Sequence, residues 1–524
     1  MKNKLILFVL LTTCFAMRAQ TIHVSGDQTG VWDADTVLVT GDVVVGDSLT
    51  VLPGTVVLFD DFCGITVRGG ASFKALGTET DSIVFTVADT THFSDYDHGK
   101  GGWSGICFDK AGDVMLDYCV LQYGKATDKV DWRGGALKFV CCNDVKILHS
   151  TLRCNFAHEC GGAIYAVDSQ VQMLACAINE NRVYDENNMY LYGGGACFLK
   201  SDVELREMEF RGNDSYCIGG ALSIDSCSVV LDRAVFVDNV GVNGAGLYLM
   251  RSNHKKCMFS NLLFDNNRSH HFGGGLAISN ASPEINNILV INNVSEGVNC
   301  CGIFFFEESS PIIYNSIVYG NYPEVELGHY EDTTQMWVWT FEGFAPEFRN
   351  CLIEGGTNYI HSADQIVVFE NILDTDPLFV DAVHHDFRLS EESPCRDAGS
   401  ELTPSYVMEG LDLAGLPRVL NNRIDIGPYE YSGASVAQHR AAPFAKLVGN
   451  PLHAQSRIEF DDAVKGEVTV TLYALTGRCV AQRVLNLEGT RSMGLGDLME
   501  GLAPGVYLIE IKGENGVCSL KAVR

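Results

Sequence analysis

At 524 residues the chain has ample material for a core, and 66 acidic against 37 basic residues give a formal charge of −29. That balance argues against nucleic acid or an anionic membrane as partner and fits an exposed, soluble surface. Residues 1–19 read as an export signal: Lys2 and Lys4 precede the apolar stretch Leu5 to Leu11, and cleavage near Ala19 would leave Gln20 first. The stretch is too short to span a bilayer, and no later run approaches the roughly 20 apolar residues a spanning helix needs. Cys14 loosely resembles a lipoprotein box, but Thr13 beside it is a poor fit.

Residues 20–122 carry strand-and-turn phrases: VLPGTVVLF, ALGTETDSIVFT, WSGICFD and LDYCVLQYG. From 123 to 375 the chain repeats one unit. Asn155, Asn181, Asn213, Asn239, Asn267, Asn293 and Asn321 close apolar phrases at steps of 26, 32, 26, 28, 26 and 28. Gly135, Gly162, Gly195, Gly220, Gly246, Gly275 and Gly302 open the next phrases at nearly the same period. Two markers sharing a period of about 27 residues predict a solenoid. The phrases between them are too short and too Gly-punctuated for helices and rich in β-branched and aromatic residues, so the coil is predicted as a parallel β-helix. The recurring Gly is expected at a corner needing positive φ and close backbone approach. The recurring Asn is expected to sit in the left-handed conformation and to hydrogen-bond its copy in the next coil.

Pro53-Gly54, Ala75-x-Gly77-Thr78, Ile83-x-Phe85-Thr86 and Trp103-x-Gly105-Ile106 follow one another in the order seen in exported bacterial right-handed β-helix proteins, which this region resembles. The phrase from Phe210 to Asn213, repeated at Phe236 to Asn239 and Phe264 to Asn267, is similar to repeats of polymorphic outer-membrane proteins, some of which are adhesins. Residues 376–431 (DPLFVD, SPCRDAGS, DLAGLPRV, RIDIGPYEY) resemble the closing region of such β-helices and are expected to cap the last open strands. Their Asp376, Asp381, Asp397, Asp412 and Asp425 fit Asx turns, with a calcium cluster as the alternative. A polar, Ala-rich linker spans 432–446. Residues 447–524 change to antiparallel strand patterns with turns at Thr476-Gly477 and Glu514-Asn515-Gly516. Asn450-Pro451, Leu475-Thr476-Gly477-Arg478, Gly505-Val506-Tyr507-Leu508 and Lys521 resemble the C-terminal sorting domain of the Bacteroidetes type IX secretion system. That resemblance implies recognition by the secretion machinery, removal of the tail, and release or attachment to surface lipopolysaccharide. The predicted fold is all-β: a right-handed parallel β-helix solenoid followed by a small antiparallel β-sandwich sorting domain.

Eighteen cysteines follow residue 19, and Cys142 and Cys227 share one offset after their Gly pairs. A few disulfides and mostly buried thiols are expected. No CxxC, nucleophile elbow, phosphate loop or HExxH occurs. The NTD, GHG and RIK phrases of polygalacturonases are also missing, and the only DD pairs are Asp60-Asp61 and Asp461-Asp462. Asp95, Asp97 and His98 compose a candidate metal cluster, but a solvated loop is the favoured reading. Asn-to-Gly distances of 7, 14, 7, 7, 8 and 9 show one corner varying while the rest of the coil stays constant. Candidate binding residues therefore sit there: Tyr184, Asn187, Asn188, Tyr190 and Tyr192; His270 and His271; and, after Asn321, Tyr330, Trp337, Trp339 and Phe341. The roots of the first and last of these excursions are expected on one corner, ~24 Å apart. The functional expectation is a secreted or surface-attached, non-catalytic adhesin or stalk binding a glycan or surface protein, with no resident cofactor. A lyase or glycosidase acting on an acidic polysaccharide and a passive surface-layer component are the alternatives.

Overall fold

The computed structural model describes residues 20–127, 132–184, 192–216, 218–296, 300–323, 335–362, 367–420 and 423–432, and, nearer the C-terminus, 445–448, 456–460, 466–474, 479–486, 492–495, 506–513 and 516–523. The chain divides into two compact units, one ending at Tyr431 and one beginning at Ser432. Each is described by itself.

The first unit is a solenoid of parallel strands. Each full coil visits three sheet faces in turn. Face one runs through Ile65–Arg68, Ile106–Asp109, Leu137–Val140, Ile164–Val167, Ala196–Leu199, Leu222–Asp225, Leu247–Met250, Leu276–Ser279, Ile303–Glu307, Met336–Thr340 and Ile360–Ser362, each in parallel register with the next. Faces two and three are often one bent strand: Asp202–Arg211, Ser228–Val237, Cys257–Asp265 and Glu284–Ile291 each span both. The bend falls on Glu207, Arg233, Asn261 and Asn287, all at positive φ. Between faces three and one lies an additional narrow sheet of eight short strands, from Lys125–Ala126 to Tyr322–Pro323.

Strand alternation sets the interior. In Leu137–Val140, Leu137 and Phe139 point in while Lys138 and Val140 point out, and the inward residues are buried on coil after coil. Identical residues stack along the axis: the rings of Phe210, Phe236 and Phe264 lie 4.7 and 4.8 Å apart and nearly parallel. The Phe phrase in the sequence is this column.

The Asn repeat is a continuous buried ladder. Asn155 Nδ2 donates to Asn181 Oδ1 at 2.9 Å, and the same bond links Asn181 to Asn213, Asn213 to Asn239, Asn239 to Asn267, Asn267 to Asn293 and Asn293 to Asn321. Gln335 takes the last place, accepting from Asn321 at 2.7 Å. The expected left-handed conformation falls one residue earlier, on Cys154, Glu180, Gly212, Asp238, Asn266, Asn292 and Gly320. That residue makes the bend, which frees the Asn to aim its amide inward along the axis. The glycine roles divide similarly. In Gly161-Gly162 the first has φ +63, while a Cβ on the second would lie 2.2 Å from the Gly194 carbonyl oxygen of the next coil.

The fifteen cysteines from Cys63 to Cys395 whose side chains are described are free thiols, so the disulfides expected from the sequence are not formed among them. Cys142 and Cys227 stand in a column with Ser169, Ser201 and Ser252, in which each backbone N–H donates to the next Oγ or Sγ at 3.0–3.2 Å. The shared offset of these two cysteines reflects that column.

Left-handed corners carry a cost when the residue is neither Gly nor Asn. Ala175 has φ +53, and its Cβ costs roughly 1 kcal/mol there. Ala175→Gly is expected to stabilise the coil by about 0.5–1 kcal/mol, after allowing for the freer unfolded chain, read as a higher denaturation midpoint.

Residues 376–431 do not lie across the last strands, as a cap would. They run along the flank of the solenoid, over the outer side of face three, where Phe387, Leu389, Cys395 and Ile426 pack on Leu263, Leu289, Ile317 and Leu352. Four stacked corner residues hold them: Asn261 donates to the Leu411 carbonyl, Asn287 to those of Asp425 and Gly427, Asn315 to Thr403 Oγ1 and Asn350 to the Ala398 carbonyl, at 2.7–3.0 Å. On earlier coils the same corner holds His149, Ala175, Glu207 and Arg233, which could not replace a side-chain amide there. This second Asn column is the signal for the flank that the sequence reading missed.

The second unit contains two small antiparallel sheets. Ala445–Val448, Arg457–Phe460 and Ser492–Gly494 form one; Glu467–Ala474, Cys479–Asn486, Val506–Gly513 and Gly516–Val523 form the other. Of the residues carrying the sorting-domain resemblance, Tyr507 and Lys521 lie on adjacent strands of the larger sheet, pairing with Ala522 and Leu508 respectively. Asn450, Pro451, Gly477 and Gly505 lie outside the described residues.

Candidate functional site

The outer side of face one presents two parallel columns of side chains, because strand alternation repeats from coil to coil in strict register. One column reads Tyr165, Cys197, Ser223, Tyr248, Ala277, Phe304, Trp337 and His361; the other reads Val167, Leu199, Asp225, Met250, Ser279, Phe306 and Trp339.

Toward the C-terminal coils these columns form an aromatic array. Phe304 stacks on Phe272 at 4.8 Å between ring centres, Trp337 meets Phe272 edge-on at 5.4 Å and His361 at 5.0 Å, and Trp339 lies 6.0 Å from Trp337 and nearly parallel to it. Trp337 is packed within this group, whereas Trp339 is 50 % exposed and Phe341 beside it 54 %. Both Trp residues were expected on a loop; both lie in the strand Met336–Thr340. The physical reason is that this coil enters face one without a Gly pair. Gln335 replaces it, so the marker used to find strands is missing there.

Toward the N-terminal coils the same columns floor a cavity of about 180 Å3, walled by Arg133, Glu159, Cys160, Tyr192 and Arg251. Arg133 Nη2 lies 2.7 Å from Glu159 Oε1, and the Arg133 guanidinium sits over the Tyr165 ring at 5.5 Å. Arg251 grips both oxygens of Asp225, with Nε 2.8 Å from Oδ1. Ser223 is fully buried with its Oγ unpartnered. Burial pushes the Tyr165 phenol up to about 12, so it is a hydrogen-bond donor at neutral pH. A larger groove of about 400 Å3 crosses face two, lined by Asp144, Lys146, Gln172 and Glu204 among others. Its Lys146–Asp144 pair at 2.8 Å is an exposed surface pair, as alternation on a solvated sheet face produces.

The remaining candidates fall in different places. Tyr184 and His270 lie on or beside the narrow sheet: Tyr184 meets Tyr216 edge-on at 5.4 Å beneath the Arg182 guanidinium, and His270 Nδ1 is 2.6 Å from Glu296 Oε2. His271, next along the strand, is exposed, and its carbonyl accepts from Ser295 Oγ. Tyr192 re-enters beside Cys160 and lines the cavity. Asn187, Asn188, Tyr190 and Tyr330 lie outside the described residues. Arg182–Val183 and Tyr322–Pro323, the roots of the two longest excursions, belong to one sheet, five strands apart. Among the described residues the loop candidates do not gather into one site; Tyr192 joins Trp337 along face one, with Trp339 beside it. His98 Nε2 pairs with Asp95 Oδ2 at 2.8 Å, in a loop held by Lys125, whose ammonium donates to the carbonyls of His92, Asp95 and Lys100.

The aspartates weighed for calcium mostly accept backbone N–H groups: Asp412 from Leu416 and Glu430, Asp425 from Asp397 and Tyr431, and Asp376 from Leu378, at 2.6–2.8 Å. Among the described residues no group of three or more His, Cys, Asp or Glu is placed to hold a metal ion. No described helix is long and apolar enough to cross a membrane.

Stacked parallel coils and outward columns define a parallel β-helix that presents one sheet face as a surface. A family model described as a right handed beta helix region matches residues 104–285, the span from the Trp-Ser-Gly-Ile phrase to the coil of Ile285, and agrees with the predicted hand and fold class. No curated protein matches the chain.

Proposed function

We propose that this is an exported, surface-attached or secreted β-helix protein that binds a glycan or a surface protein without catalysis, using the aromatic array of face one. The observation that carries the reading is Trp339: half-exposed, backed by Trp337 and Phe306, and held on a strand rather than a mobile loop. Aromatic faces on rigid elements stack on sugar rings or accept apolar side chains with little ordering entropy lost. The formal charge of −29 favours neutral or basic ligands over acidic ones. Export through the N-terminal signal and sorting by the type IX machinery rest on the sequence resemblance, and calcium is not required by this reading. Trp339→Ala is expected to weaken binding to the best ligand on a glycan or surface-protein array about two- to tenfold, as one aromatic stack is worth about 0.5–1.5 kcal/mol. Unchanged binding would place the contact elsewhere.

One observation favours the enzymatic alternative: carboxylates and guanidiniums converge in the face-one cavity. Both carboxylates are tied up, however, by Arg133 and Arg251, and a general base needs a free lone pair aimed at substrate. Release of unsaturated uronides or reducing sugar from any polysaccharide would nevertheless establish this second reading. Neither binding nor turnover would leave a passive surface component.

A further inference from the structure

Two thiols in the face-one cavity differ from the interior ones. Interior cysteines donate to backbone carbonyls of their own or a neighbouring coil: Cys119 to Ala75, Cys142 to Phe108, Cys176 to Ile147, Cys351 to Ile313. They stand in for Ser in the barrel and are sealed from reagents. Cys160 and Cys197 instead face outward, pack against one another and Tyr165 in a separate cluster, and line an open cavity.

The backbone explains the contact. Cys160 pairs with Tyr192 across adjacent coils, with Gly161 N–H donating to the Tyr192 carbonyl at 2.9 Å and Tyr192 N–H to that of Glu159 at 3.1 Å. At Gly193 the chain turns so tightly that an added Cβ would come 3.2 Å from Cys197 Cβ. The residue before each corner glycine is thereby folded over the first outward column, and Cys160 comes against Cys197 one coil on. The two side chains share one small cluster with Tyr165 and line the same cavity, and a disulfide needs a Cα separation of about 4.4–6.8 Å.

We propose that Cys160 and Cys197 are a modification site at which a disulfide forms by exchange with a low-molecular-weight organic disulfide, cross-linking two coils at the wall of the face-one cavity. The Cys160 thiolate attacks one sulfur of the reagent, forming a mixed disulfide and releasing one thiolate. Cys197, on losing its proton to solvent, attacks Cys160 Sγ and expels the second. Two protein thiols are oxidised, one reagent disulfide is reduced to two thiols, and the protein loses two hydrogens. The neighbouring Cys160 side chain and burial hold the Cys197 thiol protonated, which predicts faster closure at alkaline pH. The link closes a chain loop that contains residues 185–191 and ties Tyr192 to face one.

The test incubates the full chain with oxidised glutathione at pH 8, then alkylates under denaturing conditions and digests with trypsin without reduction. Trypsin separates the pair: Cys160 lies in 154–182 with Cys154 and Cys176, and Cys197 lies in 183–200. The expected result is a linked pair of these peptides, two hydrogens lighter than their sum, with fragmentation placing the bond at Cys160. In Cys160→Ser the linked species should fall at least tenfold while the circular dichroism is unchanged. Recovery of both cysteines alkylated, or as glutathione adducts, or Cys197 linked through Cys154 or Cys176, would overturn the proposal.

Discussion

Replacing Asn239 by leucine is expected to destabilise the central coils by about 3–5 kcal/mol. Asn239 is fully buried; its Oδ1 accepts from the backbone N–H and the side chain of Asn213 at 2.9 and 3.0 Å, and its Nδ2 donates to the Phe210 carbonyl and Asn267 Oδ1 at 3.0 and 2.8 Å. Leucine fills nearly the same volume, so the loss isolates the hydrogen bonds. The Asn213 backbone N–H loses its acceptor inside the barrel, and Asn213 Nδ2, the Phe210 carbonyl and Asn267 Oδ1 each lose one bond; a buried group left without a partner costs about 1–3 kcal/mol before relaxation. Because each coil contacts only its neighbours, the damage should be local. Hydrogen exchange should accelerate in the coils flanking residue 239 and leave the first coils, around Val45 and Val67, protected.

The second large effect concerns the flank. Arg418 is fully buried and pairs with Glu430 at 2.9 Å, and Asp412 and Asp425 are buried close by. Arg418→Met leaves these carboxylates without their cation, and breaking such a pair from one side costs about 3–5 kcal/mol. Residues 376–431 are expected to become protease-sensitive while the coils stay intact. At pH 9, where Glu430 is ionised in the native protein, adding Glu430→Gln should restore part of the loss, because the uncompensated carboxylate is then gone. The same cluster makes docking of the flank pH-dependent. Three carboxylates share one guanidinium, and burial pushes the Glu430 carboxyl up to about 8 against the opposing pull of Arg418. A carboxyl whose folded value lies above its unfolded one holds its proton more tightly when folded, so its contribution is complete below about pH 4.5 and is lost as pH rises through 8. Proteolysis within 376–431 should therefore be slower at pH 5 than at pH 9 after correction for protease activity, and Glu430→Gln should flatten the difference.

The coil count, the ladder and the all-β class were legible because they repeat. An Asn that must meet its copy every coil leaves a period, and Phe210, Phe236 and Phe264 leave another. The face-one surface left much less. Tyr165, Cys197, Ser223 and Phe304 occupy one column yet are chemically unrelated, since an outward position imposes no packing rule that would make them alike. Trp337 and Trp339 were singled out as aromatics but assigned to a loop, because Gln335 ends the ladder where a Gly pair would have marked the strand. The second Asn column, at Asn261, Asn287, Asn315, Asn350 and Asn371, could have been read from spacing, but it recurs over only five coils and serves a segment far away in sequence.

What the sequence by itself determined was the one-dimensional part of this protein: a period near 27 residues, the buried amides that enforce it, and a change of architecture after Tyr431. Local steric and hydrogen-bonding rules act on every coil alike and so write themselves into the chain. Only the tertiary structure decided which outward residues share a face, that Arg133, Asp225 and Arg251 meet around one cavity, that Cys160 touches Cys197, and that residues 376–431 lie along the flank rather than across the end. Each of these depends on register between coils or on contacts across more than a hundred residues, and such contacts constrain positions in space without requiring any repeated residue.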